Sequence, residues 1–342
     1  MMADSYMENY QYPKGDPTIC YVGYWVRPWS FCQRWAHAYH TWGTVSAFSF
    51  PRGPQQRKEG CRDEYEKLVR LCGADLLHLG GSYRGEEHLR YEFLQQLRLQ
   101  RQLKIVAYHT EGYLRDNMEF VFDLPPLVDI LYTGSPTFVK IIEERTGYHN
   151  IRFMTGGTDP EIFYPVDVEK QIDFLYVGHA AHTSKSRNVI VNRMAKEFDN
   201  MWVIGLWWDD EDGRGSNVKH LVGGAYRKDF SEWCSRAKIG FCPLPAYHAE
   251  LEMYSPYRVV NTMATRTFAL TAYTPGLEKL FTRKVHLDWY SNEDELIELA
   301  HYWLEHDEER RAVAQRGYEY VLENCTLKQQ AGQVLRDVGL LK

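Results

Sequence analysis

The sequence has no apolar run near the ~20 residues a membrane-spanning helix needs, no Cys-x-x-Cys pair and no His/Cys grouping with metal-ligand spacing. Its seven cysteines, Cys20, Cys32, Cys61, Cys72, Cys234, Cys242 and Cys325, are odd in number and scattered, which argues against a disulfide framework and suits reduced thiols in the cytoplasm. An excess of positive charge is also missing. The formal net charge is -6, so no global basic field announces a nucleic-acid binder, although a local basic face stays open. The opening MMADSYMENYQYPKGD is polar and acidic, unlike a signal peptide. What is present is 342 residues of 44% hydrophobic composition, enough for one large domain or, as expected here, two ordinary ones.

In the first half, short β-rich runs alternate with helical spacing. Thr18 to Tyr24 ends at a loop carrying Trp25, Arg27 and Trp29, and the strands expected after it are 44–50, 75–79, 104–108, 127–133 and 151–154. Helices are expected over 63–72, 89–102 and from Ser135-Pro136 to Gly147, the last with a serine N-cap and a glycine stop. This alternation predicts a parallel sheet with helices on both faces, whose ligands meet the carboxyl ends of the strands. Trp25, Arg27 and Trp29 could face a sugar ring or a nucleobase, or plug the loop. His109 and Glu111, after the fourth strand, are candidate catalytic groups. A structural histidine bonded to backbone fits His109 equally.

The second half repeats the opening. A strand at 172–177 ends at Gly178, and a loop holding Lys185 and Arg187 leads into a helix. His179 and His182 lie in that loop without a third ligand nearby, and Asp209 to Asp212 read as a solvated charge run. Further strands are expected at 201–206, 239–243, 268–271 and 285–289, with helices over 229–236, 292–306 and 308–323. The stretch Tyr254 to Phe281 reads as loop, short amphipathic helix, buried strand and a Pro-Gly turn opening another helix. Arg258 and Asn261 fall in the first turns of its helix, where free amides and a nearby cation make a phosphate site. An ordinary αβ unit with a solvent-facing arginine fits the same residues.

The run Arg258-Val-Val-Asn-Thr-Met-Ala-Thr-Arg-Thr-Phe-Ala-Leu-Thr271, then Pro275-Gly-Leu-Glu-Lys-Leu-Phe281, resembles the nucleotide-binding signature of CgeB-like (spore maturation protein type) glycosyltransferases, relatives of the group 1 retaining enzymes. Gly156 to Asp167 resembles the segment that crosses between their domains. The resemblance implies a GT-B fold, two Rossmann-like parallel-sheet lobes facing each other across a cleft. It divides the chain into 1–165, the acceptor side, and 166–342, the nucleotide-sugar side, with the last helix crossing back to the first lobe. It also implies that Gly178, Lys185, Arg187, Tyr257, Arg258, Asn261, Gly276 and Glu278 hold the donor, and that His109, Glu111, Arg187 and Arg258 act in catalysis. The chain departs from the family twice, with Asn261 in place of a glutamate and Arg266 in place of a glycine.

The function so implied is sugar transfer from a nucleoside diphosphate sugar, a UDP-sugar by preference, with retention and without a metal or other cofactor. The acceptor is open: a glycan, a protein, a small molecule or a modified DNA base. A GT-B nucleotide-sugar epimerase, or a non-catalytic nucleotide-sugar or nucleic-acid binding module, are the alternatives.

Overall fold

The computed structural model describes residues 17–23, 31–49, 67, 69–70, 72–80, 91–100, 103–109, 119–178, 185–205, 219–222, 225 and 228–342. The loop with Trp25, Arg27 and Trp29, Glu111, His179, His182 and the acidic run at Asp209 to Asp212 lie outside the described residues, as does the side chain of Lys185. The chain forms two compact units, Met1–Met154 with Leu327–Lys342, and Thr155–Thr326.

The first unit is built on β1 (Thr18–Gly23), α1 (Phe31–His40), β2 (Thr44–Ser49), β3 (Leu76–Gly80), α2 (Tyr91–Gln100), β4 (Lys104–His109), β5 (Ile130–Thr133), α3 (Pro136–Thr146) and β6 (Ile151–Phe153). Its strands pair in parallel in the order β2-β1-β3-β4-β5-β6. Ile19, Cys20, Tyr21 and Val22 of β1 and Leu76, Leu77 and Leu79 of β3 have no exposed surface. That accounts for the continuous apolar runs, because a parallel sheet is covered on both faces. Each such side chain contributes ~1.5–3 kcal/mol through burial. The caps read from the sequence are formed. Ser135 Oγ accepts from Thr137 N–H at 3.2 Å, and Gly147 closes α3 at φ 72° while donating to Glu143 O.

The second unit contains β7 (Ile172–Val177), α4 (Lys185–Glu197), β8 (Met201–Gly205), β9 (Lys219–Val222), α5 (Lys228–Arg236), β10 (Ala237–Cys242), α6 (Tyr257–Ala264), β11 (Phe268–Ala272), β12 (Asp288–Tyr290), α7 (Glu293–Glu305) and α8 (Asp307–Asn324). Its sheet is parallel too, ordered β12-β11-β10-β7-β8-β9. The last helix, α9 (Leu327–Asp337), belongs to the first unit. There Tyr132 Oη and Arg152 Nη1 both bind the Asp337 carboxylate, each at 2.8 Å, and Trp42 Nε1 donates to Lys328 O at 2.8 Å.

Four local expectations change. The units divide at Met154/Thr155 rather than near Pro165. The intervening segment is stitched to the second unit: Tyr164 N–H donates to Ser231 Oγ at 3.2 Å, Ser231 Oγ donates to Ile162 O at 3.1 Å, and the Phe163 ring packs on Phe230 at 5.2 Å. The strand expected over 285–289 forms only at Asp288–Tyr290. Upstream, Lys284 takes a left-handed φ of 59° and Thr282 N–H donates to His286 Nδ1 at 3.1 Å, which makes a turn. The helix expected after Pro275-Gly276 is a single 3-10 turn, Leu277–Lys279. Conversely, α4 starts at Lys185, so Lys185 and Arg187 belong to its first turn instead of the preceding loop. The strand β9 has no counterpart in the sequence reading.

Candidate donor site in the second lobe

In the second sheet β7 and β10 are neighbours, and their onward connections run to opposite sides, β7 through α4 to β8 and β10 through α6 to β11. This is the topological switch point of a doubly wound sheet, where a crevice opens beyond the carboxyl ends of the strands. The sequence places Gly178 at the end of β7, Arg187 in the first turn of α4, and Arg258 in the first turn of α6.

Tyr176 of β7 organises the group. Strand alternation turns Tyr176 and Gly178 to the same face. The Arg258 guanidinium carbon lies 4.7 Å from the Tyr176 ring centroid and that of Arg187 lies 5.9 Å from it. A Cβ on Gly178 would stand 2.5 Å from Tyr176 Oη and 2.8 Å from Arg258 Nη2, so glycine is required for this close approach. Gly178 N–H is itself held by Ile204 O at 2.8 Å. Burial lowers the Arg187 pKa and the neighbouring Arg258 charge lowers it further, while Tyr176, Tyr247 and Tyr254 oppose the shift. Arg258 has no carboxylate partner among the described residues. Two guanidiniums thus converge on one phenol ring, an arrangement complementary to an anion with several oxygens.

Asn261 follows Arg258 by three residues, hence on the same face of α6. It is 7% exposed, and its Oδ1 has no hydrogen-bond partner among the described residues. A buried amide oxygen left unpaired costs on the order of 1–3 kcal/mol, which a hydroxyl donor would recover. Helix α6 begins at Pro256 without a side-chain cap. The Tyr257 ring lies against Gly156, where a Cβ would come within 3.0 Å.

The loop from β10 to α6 is anchored on both sides. Ala246 N–H donates to Ser186 Oγ at 3.0 Å, beside Arg187. Met253 N–H donates to Pro275 O at 2.7 Å and Thr274 Oγ1 to Tyr254 O at 3.0 Å. Between these anchors His248 packs against Tyr247 and Tyr254, with centroids 4.5 and 4.3 Å away. Met253 adopts a left-handed φ of 53°, strain that the surrounding bonds hold in place. Gly276 turns at φ 80°. Glu278 accepts from Tyr273 Oη at 3.1 Å on the exposed side of the following turn, and Glu252 pairs with Lys279 at 3.1 Å.

His109 ends β4 in the first unit. It is 2% exposed, with its ring 5.3 Å from Phe138 and 6.4 Å from Phe120, and its Nε2 has no hydrogen-bond partner among the described residues. Burial lowers its pKa to about 4, so the imidazole is neutral near pH 7. Tyr176, Tyr247 and Tyr254 were not anticipated. For Tyr176 the available signal was its i-2 relation to Gly178 in a strand.

Residues 185–336 match a family model described as glycosyl transferase-like. No curated protein matches the chain. Among solved structures, sucrose-phosphate synthase from Thermosynechococcus elongatus is similar at 15% identity and TM-score 0.68, with 94% of this chain and 99% of that one covered. An alpha-glucosyltransferase solved with UDP-glucose and abasic DNA is similar at 12% identity and TM-score 0.68, with the same two shares, 94% and 99%. HepE of Anabaena in complex with UDP-glucose is similar at 10% identity and TM-score 0.66, covering 93% of this chain and 99% of that one.

The architecture is therefore GT-B, with two Rossmann-like parallel-sheet lobes, and the family match together with this fold supports a glycosyltransferase. Among the described residues no helix is long and apolar enough to cross a membrane, and no group of three or more His, Cys, Asp or Glu side chains could hold a metal ion.

Proposed function

We propose that the protein transfers a sugar from a nucleoside diphosphate sugar, with Arg187 and Arg258 holding the diphosphate. The observation that carries this reading is the convergence of the two guanidiniums on Tyr176 at the switch point, with no carboxylate partner for Arg258 among the described residues. As the glycosidic bond breaks, positive charge grows on the sugar and negative charge on the departing phosphate. Preorganised cations aimed at the phosphate stabilise that transition state more than the ground state.

A UDP-sugar is the favoured donor, because UDP-glucose appears in the complexes of two structures similar to this chain. Asn261 would offer its Oδ1, unpaired among the described residues, to a donor hydroxyl, while Gly178, Tyr257 and Gly276 would line the donor's approach. Lys185, at the head of α4, would add charge near the phosphates. Glu278, in the turn after Gly276, would approach the ribose or the sugar. The first lobe would take the acceptor, with Glu111 and the neutral His109 as its polar groups. Retention of configuration is supported by the resemblance to the group 1 and spore-maturation-type enzymes.

The test is incubation with UDP-, GDP- and ADP-sugars, followed by nucleotide chromatography. A transferase slowly releases nucleoside diphosphate by transfer to water. An altered sugar without release would indicate epimerisation, and binding with neither product would indicate a non-catalytic module.

A further inference from the structure

We propose that Lys170, at the amino ends of the second sheet's strands, takes up carbon dioxide as a carbamate on its side-chain nitrogen. Lys170 stands two residues ahead of β7, and its side chain crosses to the two strands that follow in the sheet, β10 and β11. Its Nζ donates to the carbonyl oxygen of Ala237, the first residue of β10, at 2.6 Å. It also donates to Oγ1 of Thr267, the residue before β11, at 3.4 Å.

Neither partner supplies negative charge. Ala237 offers a peptide carbonyl, and Thr267 Oγ1 gives its own proton to Cys234 O at 2.6 Å, so toward Lys170 it can only accept. Both residues are buried, and no carboxylate pairs with Lys170 among the described residues. A partly buried ammonium without a counter-ion is costly. It also carries three N–H donors, one more than the two acceptors that meet it here. The neutral amine fits better, because it keeps both hydrogen bonds and turns its lone pair to the remaining tetrahedral direction. Burial, then the charges of Arg310, Arg311 and Arg266, lower the Lys170 pKa to about 8 against the opposing effect of Cys234. Lys170 is partly exposed, which admits a small uncharged reagent.

The step balances without an oxidant. The amine lone pair forms an N–C bond to carbon dioxide, one C–O π pair withdraws onto oxygen, and one N–H proton leaves to water. The carbamate nitrogen keeps a single N–H, enough for the shorter bond to Ala237 O, and releases the longer one to Thr267 Oγ1. A positive side chain thereby becomes a negative one, a change that the three arginine charges favour. Lys170 precedes β7, whereas Gly178 and the two guanidiniums stand at the other end of that strand, so the test does not depend on the donor reading.

The experiment exposes the full chain to ¹³C-labelled carbon dioxide near pH 7.5, traps carbamates as ethyl esters with triethyloxonium ion, and maps the peptides by mass spectrometry. Labelled ester on Lys170 is expected at ~10²-fold the level of an ordinary lysine, since a pKa of about 8 in place of ~10.4 leaves that much more neutral amine. At constant dissolved carbon dioxide the label should rise as the pH passes through 8. In the chain unfolded by guanidinium chloride it should fall to the level of the other lysines. Label on Lys170 no greater than on those lysines, or undiminished after unfolding, would overturn the proposal.

Discussion

At the carboxyl edge of the second sheet Arg187 and Arg258 bring two guanidiniums to one phenol ring, whereas at the end of β4 in the first sheet His109 sits neutral between Phe120 and Phe138. His78, in the middle of β3, continues the contrast. It is enclosed by Tyr21, Trp35 and Tyr39, bonded to Tyr39 Oη at 2.7 Å, and pushed by burial to a pKa of about 3. Both lobes are built on six-stranded parallel sheets, and they solve the burial of nitrogen bases in opposite ways. An arginine cannot shed its proton, so it is kept near aromatic faces worth ~0.5–2 kcal/mol each and stays available to an anion. A histidine sheds its proton and becomes part of the core. The teaching is that the two guanidiniums of the second lobe suit an anion, while the two buried histidines of the first are neutral near pH 7.

Removing a guanidinium should disturb the contrast most. Arg258→Ala is expected to lower kcat/KM for the nucleotide sugar by ~10²–10³ with circular dichroism unchanged, and full activity would take Arg258 out of the site. Next in size is acidification. Both buried histidines have folded pKa values below the unfolded value of ~6.5. The unfolded chain therefore binds more protons as pH falls, and stability present above pH 6.5 is lost down to about 4 for His109 and about 3 for His78. The expected slope is ~1.4 kcal/mol per pH unit for each histidine. It should be read in urea unfolding between pH 6.5 and 4, and His109→Asn should remove one histidine's share. An unaltered slope in that variant would contradict the neutral assignment.

Gly178→Ala should place a methyl group against Tyr176 and Arg258 at a strain of ~1–3 kcal/mol, seen in calorimetry as weaker UDP binding with the sheet retained. Asn261→Glu is the mildest change. Its carboxylate would lie one turn from Arg258 and shift preference among UDP-, GDP- and ADP-sugars by ~1 kcal/mol, several-fold in relative turnover. An identical donor profile would end the role given to Asn261.

Much of this was legible in the sequence because parallel strands are apolar on both faces. The span 172–177 was read residue for residue, and α3 announced itself through Ser135 and Gly147. Of the candidate group, Arg258 and Asn261 were legible through a helical spacing that puts them on one face. Other features depended on tertiary structure. The strand Lys219–Val222 is four residues long at the sheet edge, too short for its period to stand out. The role of Tyr176 depends on two arginines that arrive from different helices. The shift of the last strand to Asp288–Tyr290 follows from Asp288 itself. This fully buried carboxylate accepts from Arg283 Nε at 2.7 Å and Trp303 Nε1 at 2.8 Å, a partnership its polar character gave no reason to expect.

The pinning of Asp337 by Tyr132 and Arg152 bears on the order of events during synthesis. A ribosome makes the amino-terminal lobe first, yet that lobe lacks its closing helix until residues 327–342 have emerged. The middle of the chain, 155–326, has all its own strands and helices earlier and can consolidate as a unit while the older segment waits. The lobe translated first is thereby the last to be completed.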